Sequence, residues 1–167
     1  DSSLPFFLFW MQKSMTTYIG MDYERGLAML KDYMEDGEVH SKLDFRGVSD
    51  FRATKYIGLK TNTTTDRMKQ DMGSDFEKLW TFIAGKEDLL AGNGLSIYHK
   101  WDAVKDDLRY TAALPVKEIP SDLPSDFMSG MIPKTKVYTV RHTGNYEHLG
   151  NAWSTVTMMQ RGKEFKA

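Results

Sequence analysis

The stretch His142-Thr-Gly-Asn-Tyr146-Glu-His-Leu149-Gly-Asn-Ala-Trp153 joins a strand, a glycine turn and an aromatic-faced helix within one short run. Lys136 to His142 supplies the strand, and Gly144 permits the turn because a residue without Cβ enters backbone conformations closed to the others. Tyr146, Leu149, Trp153, Val156 and Gln160 then trace one helical stripe that is apolar until its last member. A strand that turns directly into such a helix implies a sheet for the helix to cover, and the remaining strands have to be sought upstream.

Pro115, Pro120, Pro124 and Pro133 make the preceding segment an extended surface crossover, since proline suits neither a helix interior nor a central strand. Phe127 and Met128 are expected to tuck back onto the core. Before it, Leu95, Ile97, His99 and Trp101 alternate with Ser96, Tyr98 and Lys100, and a second alternation runs through Leu108, Tyr110, Ala112 and Leu114. The short charged link from Asp102 to Asp107 suits a hairpin between them. Thr64 to Asp66 offers cap oxygens to a helix with Met68, Met72, Phe76, Leu79 and Ile83 on one stripe, and Phe51 to Thr61 has the β-branched and aromatic content of a strand. From Asp36 to Asp50 the chain is polar with scattered apolar residues (Val39, Leu43, Phe45, Val48) and reads as a linker, with a domain boundary near residue 44. Before the linker, Asp22 can cap a helix whose single buried face would be Tyr23, Leu27, Leu30 and Met34, with Gly37 placed to end it.

The element order is therefore β-α-β-β, a proline-rich crossover, then β-α. This predicts an α+β fold in which a pseudo-twofold pair of β-α-β-β units forms a curved antiparallel sheet with two helices. The second unit is incomplete, and an amphipathic helix precedes the first. The repeat is one of element order and not of residues.

Composition narrows the function classes. The chain has 167 residues, 41% hydrophobic and 13% aromatic, enough for one domain with a real core, or one domain and a remnant of another. Lys and Arg (22) nearly balance Asp and Glu (23) and form no dense basic run beside aromatics, so direct nucleic-acid contact by these residues is not expected. The absence of cysteine removes disulfides, thiol nucleophiles and thiolate metal sites together. The apolar run Leu4 to Met11 is far short of the roughly 20 residues of a membrane span, and cytoplasmic placement is the expectation. That run is expected to pack on a neighbouring chain, which makes a homodimer through the N-terminal segment the expected assembly.

From about Phe51 to its end, the chain resembles the GyrI-like effector-binding domains of gyrase-inhibitory proteins and bacterial multidrug-sensing transcription activators. The resemblance is carried by the Tyr138-to-His142 strand leading into Gly144-x-Tyr146, by Leu149-x-x-x-Trp153, and by Ile97-Tyr98-x-x-Trp101. It implies paired β-α-β-β units around an aromatic cleft for lipophilic, often cationic molecules. Residues 4 to 38 are similar to the closing helix of a START-like (SRPBCC) domain, notably at Tyr23-Glu-Arg-Gly-Leu27-x-x-Leu30-Lys31 and Glu35. On this basis residues 1–43 are a START-like remnant with linker, and 44–167 are the GyrI-like domain. The family's buried glutamate lies on a strand after the second helix; Glu164 precedes that place and does not take its role.

Tyr56, Trp80, Tyr98, Trp101, Tyr110, Tyr146 and Trp153 are the expected ligand-binding residues, because they combine rigid apolar faces with polar tips. Tyr98 points away from Ile97 and suits a cleft if Ile97 faces the core. Neither metal nor cofactor is expected. His99, His142 and His148 show no recognised ligand spacing, and methionines such as Met68 and Met72 read as core packing although haem-binding SOUL proteins share this type of fold. No catalytic residue is assigned. Ser96 and Ser154 lie in no nucleophile elbow, and Glu87-Asp88 and Asp106-Asp107 suit solvated turns. The expected function is binding or sensing of a lipophilic, aromatic or cationic small molecule. The alternatives are hydrolysis of strained or reactive natural products in the same cleft, with Tyr146 beside the family glutamate, and a protein-interaction module of the gyrase-inhibitor type.

Overall fold

Helical spacing and strand alternation account for most of the elements in the computed structural model, which describes residues 11–162. In chain order these are α1 (Gln12–Asp36), β1 (Ser41–Phe51), β2 (Thr54–Thr63), α2 (Met68–Ile83), β3 (Leu95–Asp102), β4 (Asp107–Pro115), β5 (Met128–Ile132), β6 (Thr135–Gly144) and α3 (Leu149–Arg161). They fall into two compact units, one built from the chain up to Phe51 together with Lys136 onward, the other from Arg52–Thr135. The Leu4-to-Met11 run, apart from Met11, lies outside the described residues, as does Glu164. Among the described residues no helix is long and apolar enough to cross a membrane.

The unit from Arg52 to Thr135 is a four-stranded antiparallel sheet in the order β3-β4-β2-β5, with α2 on one face. The α2 stripe behaves as its spacing predicts. Met72, Leu79 and Ile83 are buried against Ile57, Leu59, Tyr110, Ala112 and Leu114, with Met68 and Phe76 packed alongside. Each such side chain contributes about 1.5–3 kcal/mol of burial, so this core is the main source of the unit's stability. Asp75 of α2 is buried with it, and its Oδ2 accepts hydrogen bonds from Tyr110 Oη and Thr61 Oγ1, both at 2.7 Å. Two hydroxyl donors make the carboxyl tolerable there. Burial and the neighbouring carboxylate push the Tyr110 phenol well above its ordinary value.

Backbone approach sets two glycines in this sheet. A Cβ on Gly58 would lie 2.6 Å from the Ala112 carbonyl oxygen, and one on Gly130 would lie 2.4 Å from the Tyr56 ring, which lies across its strand partner. The proline-rich crossover contains β5, an addition to the sequence reading. It pairs with β2 at the sheet edge, between Pro124 and Pro133, where missing N–H donors are tolerated. Phe127 packs edge-on against Phe82 as part of the core periphery. The Thr64-to-Asp66 cap is not used: α2 starts after Arg67 without a side-chain cap, and Asp71 in its first turn accepts from Thr63 and Arg67 instead.

The other unit departs further from expectation. The segment read as a linker is strand β1, paired with β6, and the boundary near residue 44 falls inside it. Pairing with a partner far along the chain gives this polar segment the order its local pattern does not announce. Helix α1 begins ten residues before Asp22, at Gln12, so Asp22 is no cap; Gly37 does end it, at φ +78° with its N–H bonded to the Tyr33 carbonyl. The stripe expected to be buried is exposed, with Tyr23 at 71%, Leu27 at 63%, Leu30 at 51% and Met34 at 76%. The inward side of α1 instead carries Arg25, Met29 and Asp32. On α3 the buried positions are His148, just before the helix, and Ala152, while Tyr146 and Trp153 of the predicted stripe face solvent.

Polar contacts explain that choice of face. Buried Asp32 accepts from His148 Nε2 at 2.7 Å and from the His40 backbone N–H at 3.1 Å, tying α1 to the entry of β1 and the entry of α3. The Asn145 N–H donates to the His40 carbonyl at 2.9 Å. Gly144, at φ +126°, makes this crossing possible, because a Cβ there would lie 2.0 Å from that same carbonyl oxygen.

Candidate functional site

The aromatic residues singled out in the sequence divide between the units. In the Arg52–Thr135 unit, Tyr110 is fully buried and hydrogen-bonded to Asp75, while Tyr98 packs against the core with Trp101 edge-on to it at 5.6 Å. These three belong to the side of the sheet that α2 covers. Tyr98, and not Ile97, is the core-side residue, so the condition for placing Tyr98 in a cleft is not met. The bulge between Tyr98 and Lys100 explains why Trp101 comes round to the same side. Trp80 stands on α2, partly exposed. Tyr56 alone lies on the opposite face, over Gly130. In the other unit Tyr146 and Trp153 are exposed. Within neither unit do these side chains assemble a cleft.

A groove of about 500 Å³ lies instead among α1, β1 and α3, lined by Asp22, Arg25, Met29, Ser41, Leu43, Asn151, Ser154, Thr155 and Met158. Its volume is within the range of small-molecule sites. Arg25 donates to Ser154 Oγ at 3.2 Å and pairs with Asp22. Asn151 Nδ2 lies 3.2 Å from Ser41 Oγ and 3.5 Å from Met29 Sδ, and Ser41 Oγ is also 3.2 Å from His142 Nε2. One wall therefore offers hydrogen-bonding groups and a cation, while Met29, Leu43 and Met158 offer flexible apolar contact. Among the described residues the groove has no aromatic lining.

Sequence reasoning missed this site because its halves stand over 100 residues apart, Arg25 and Ser154 by 129 and Ser41 and Asn151 by 110. Ser154 and His142 carry no sequence spacing that pairs either with α1 or β1. The acidic doublets are structural: Asp107 pairs with Lys100 and Arg109, and Glu87 accepts from the Gly85 N–H. Ser96 Oγ faces Met72 Sδ.

Asp32, Glu147 and His148 offer three donor atoms close together, but the two buried members are already bonded to each other. A cation would have to replace the bond that holds α1 to the start of α3. The His148 hydrogen bond, helped by the His40 N–H, keeps the Asp32 carboxyl below the usual carboxylate range against the opposing effect of burial. His40 is raised above its ordinary value, chiefly by its bond to Asp36.

Among solved structures, the chain is similar to the crystal structure of the EcmrR C-terminal domain, with a TM-score of 0.51 at 14% identity over 73% of this chain and 75% of that one. At that identity the likeness shows the fold. It is also similar, with a TM-score of 0.49 and 13% identity, to the cryo-EM structure of the EcmrR-DNA complex in EcmrR-RPo, over 96% of this chain and 59% of the other. No curated protein sequence matches it. The model of the GyrI-like small molecule binding domain matches residues 48–160, the greater part of the sheet and helices described above, and the chain belongs to that family.

Proposed function

We propose that this chain reversibly binds a lipophilic small molecule in the groove among α1, β1 and α3. The observation that carries the reading is the groove itself, of ligand size and amphipathic, in a member of a small-molecule-binding family. Arg25 and the hydroxyl and amide groups would orient a polar head, with Met29, Leu43 and Met158 receiving the apolar body. The exposed aromatic face of Tyr146 on the same unit would suit flat or cationic ligands. A thermal-shift and native mass-spectrometry screen against lipophilic cations, neutral aromatics and amphiphilic acids tests it. Binding should be weakened at least tenfold by Met158→Asp or Leu43→Asp, and ligands that bind both variants as well as the parent would sink this placement. Sampling the same mixtures for products tests the hydrolytic alternative.

The exposed stripe on α1 favours a second role for that helix. We propose that Tyr23, Leu27, Leu30 and Met34 close a START-like domain, with the GyrI-like domain following from about residue 44. Contiguous exposed apolar surface of this kind marks an interface. If so, cross-linking from stripe positions in the protein as expressed by its native cell should reach an adjoining domain of the same polypeptide. Cross-links only to a second copy would replace this reading with a homodimer, and links only to other proteins would favour the interaction module.

A further inference from the structure

Ser41 is the residue of the groove wall whose hydroxyl meets a base. It opens β1, His142 lies near the end of β6, and Asn151 lies in the first turn of α3, so only the folded unit brings the three together. The Asn151 amide nitrogen donates to Ser41 Oγ at 3.2 Å, which leaves the single hydroxyl proton to be directed at His142 Nε2, also at 3.2 Å. That separation is within the range of a nucleophile and its general base. Both side chains are half-buried, and Ser41 faces the groove.

We propose that this groove carries acyl-transfer chemistry on lipophilic carboxylic esters, with Ser41 as the nucleophile and His142 as the general base. Ser41 Oγ bonds to the ester carbonyl carbon as its proton passes to His142 Nε2. The tetrahedral centre then expels the alkoxide, which takes that proton and leaves as the alcohol. Water next attacks the acyl carbon and gives a proton to His142; the tetrahedral centre then expels Ser41 Oγ, which takes that proton back from His142 as the carboxylic acid leaves. Asn151 Nδ2 is the donor beside the reacting centre that can follow negative charge onto the carbonyl oxygen. Met29, Leu43 and Met158 provide the surface for the acyl chain. Much of this groove precedes residue 48, where the family match begins, so the chemistry is a property of this chain's own arrangement.

The rate should be low. Among the described residues no carboxylate hydrogen-bonds the second ring nitrogen of His142, and loss of that orienting group in serine triads costs roughly 10⁴ in kcat. Slow turnover favours detection of the covalent adduct over steady-state product.

The inference rests on the groove being the ligand site, and the test separates the two. The full chain is treated with a fluorophosphonate probe and, separately, with p-nitrophenyl butyrate, and the modified residue is located by peptide mass spectrometry. One adduct on Ser41 is expected, absent in Ser41→Ala and slowed at least tenfold in His142→Gln, while both variants keep the cooperative unfolding of the parent chain. A purely structural Ser41 would give no adduct in the parent chain. No adduct, or adducts spread over other hydroxyls, in a parent chain that still binds groove ligands overturns acyl transfer and leaves binding intact. Loss of the ligand shift in the parent overturns the binding reading, and an adduct on Ser41 would then still support this one.

Discussion

The two units of this chain are held by different forces. The Arg52–Thr135 unit contains an apolar cluster around Ile57, Leu79, Tyr110 and Leu114, whereas among its described residues the unit of α1, β1, β6 and α3 buries the apolar Ala152 and the polar Asp32 and His148. Apolar burial is non-directional and adds up over area, while a few hydrogen bonds stabilise modestly and demand geometry. One unit is thus a scaffold, and the other is the easier to open and the one with the groove. Elements that bind and move are drawn from the less stable part of a protein.

The largest effect that would sharpen this contrast is in the scaffold. Leu79→Ala should cost about 2–5 kcal/mol, seen as a loss of cooperative unfolding midpoint in urea. In the polar unit, Gly144→Ala should cost at least about 2 kcal/mol, because it combines a disfavoured φ with a collision at the His40 carbonyl. Amide exchange in β1 and β6 would accelerate while that of β2 and β4 stayed unchanged; uniform acceleration would break the distinction between units. Tyr110→Phe removes one of the two donors to Asp75 and should cost about 1–2 kcal/mol, read from the same urea curves.

Acid should act on both units, since Lys100 and Lys86 hold the Asp107 and Asp122 carboxyls of the scaffold below the ordinary range as His148 holds that of Asp32. The lowered Asp32 carboxyl contributes stability that is complete above the ordinary carboxylate range and is lost as pH falls through its depressed value. The raised His40 contributes below the ordinary imidazole range and ceases to do so as pH rises through its elevated value. Exchange protection in α1 and α3 should therefore be greatest between those limits, and a pH-independent profile would contradict the role given to Asp32. The smallest effect belongs to the exposed stripe. Leu30→Gln should change the stability of this chain by less than about 0.5 kcal/mol, and a large loss would mean the stripe is covered.

What could be read from the sequence follows the same division. The α2 stripe and the alternations of β3 and β4 were legible because each apolar position there meets an apolar partner. On α1 the periodicity was equally clear, yet the stripe faces outward, since Asp32 finds His148 just before α3 and Arg25 finds Ser154 on it, partners that spacing along one helix cannot reveal. Strand β1 was missed because its order comes from pairing with β6, nearly a hundred positions away. The aromatics read alike in the sequence, yet within the scaffold unit Tyr110 bonds to Asp75 and Tyr98 packs on the core. Ser41, His142 and Asn151 had no local signal at all.

The bond between Asp32 and His148 spans 116 positions, and the whole scaffold unit is threaded between its two ends. At about 5–20 residues per second, the ribosome delivers His148 on the order of ten seconds after Asp32. During that interval Arg52–Thr135 emerges as one continuous stretch, while the α1 carboxylate waits without its imidazole. The unit of α1, β1, β6 and α3 thus stays open to the cell's chaperones until its second half has been made, a delay that the continuous Arg52–Thr135 unit is spared.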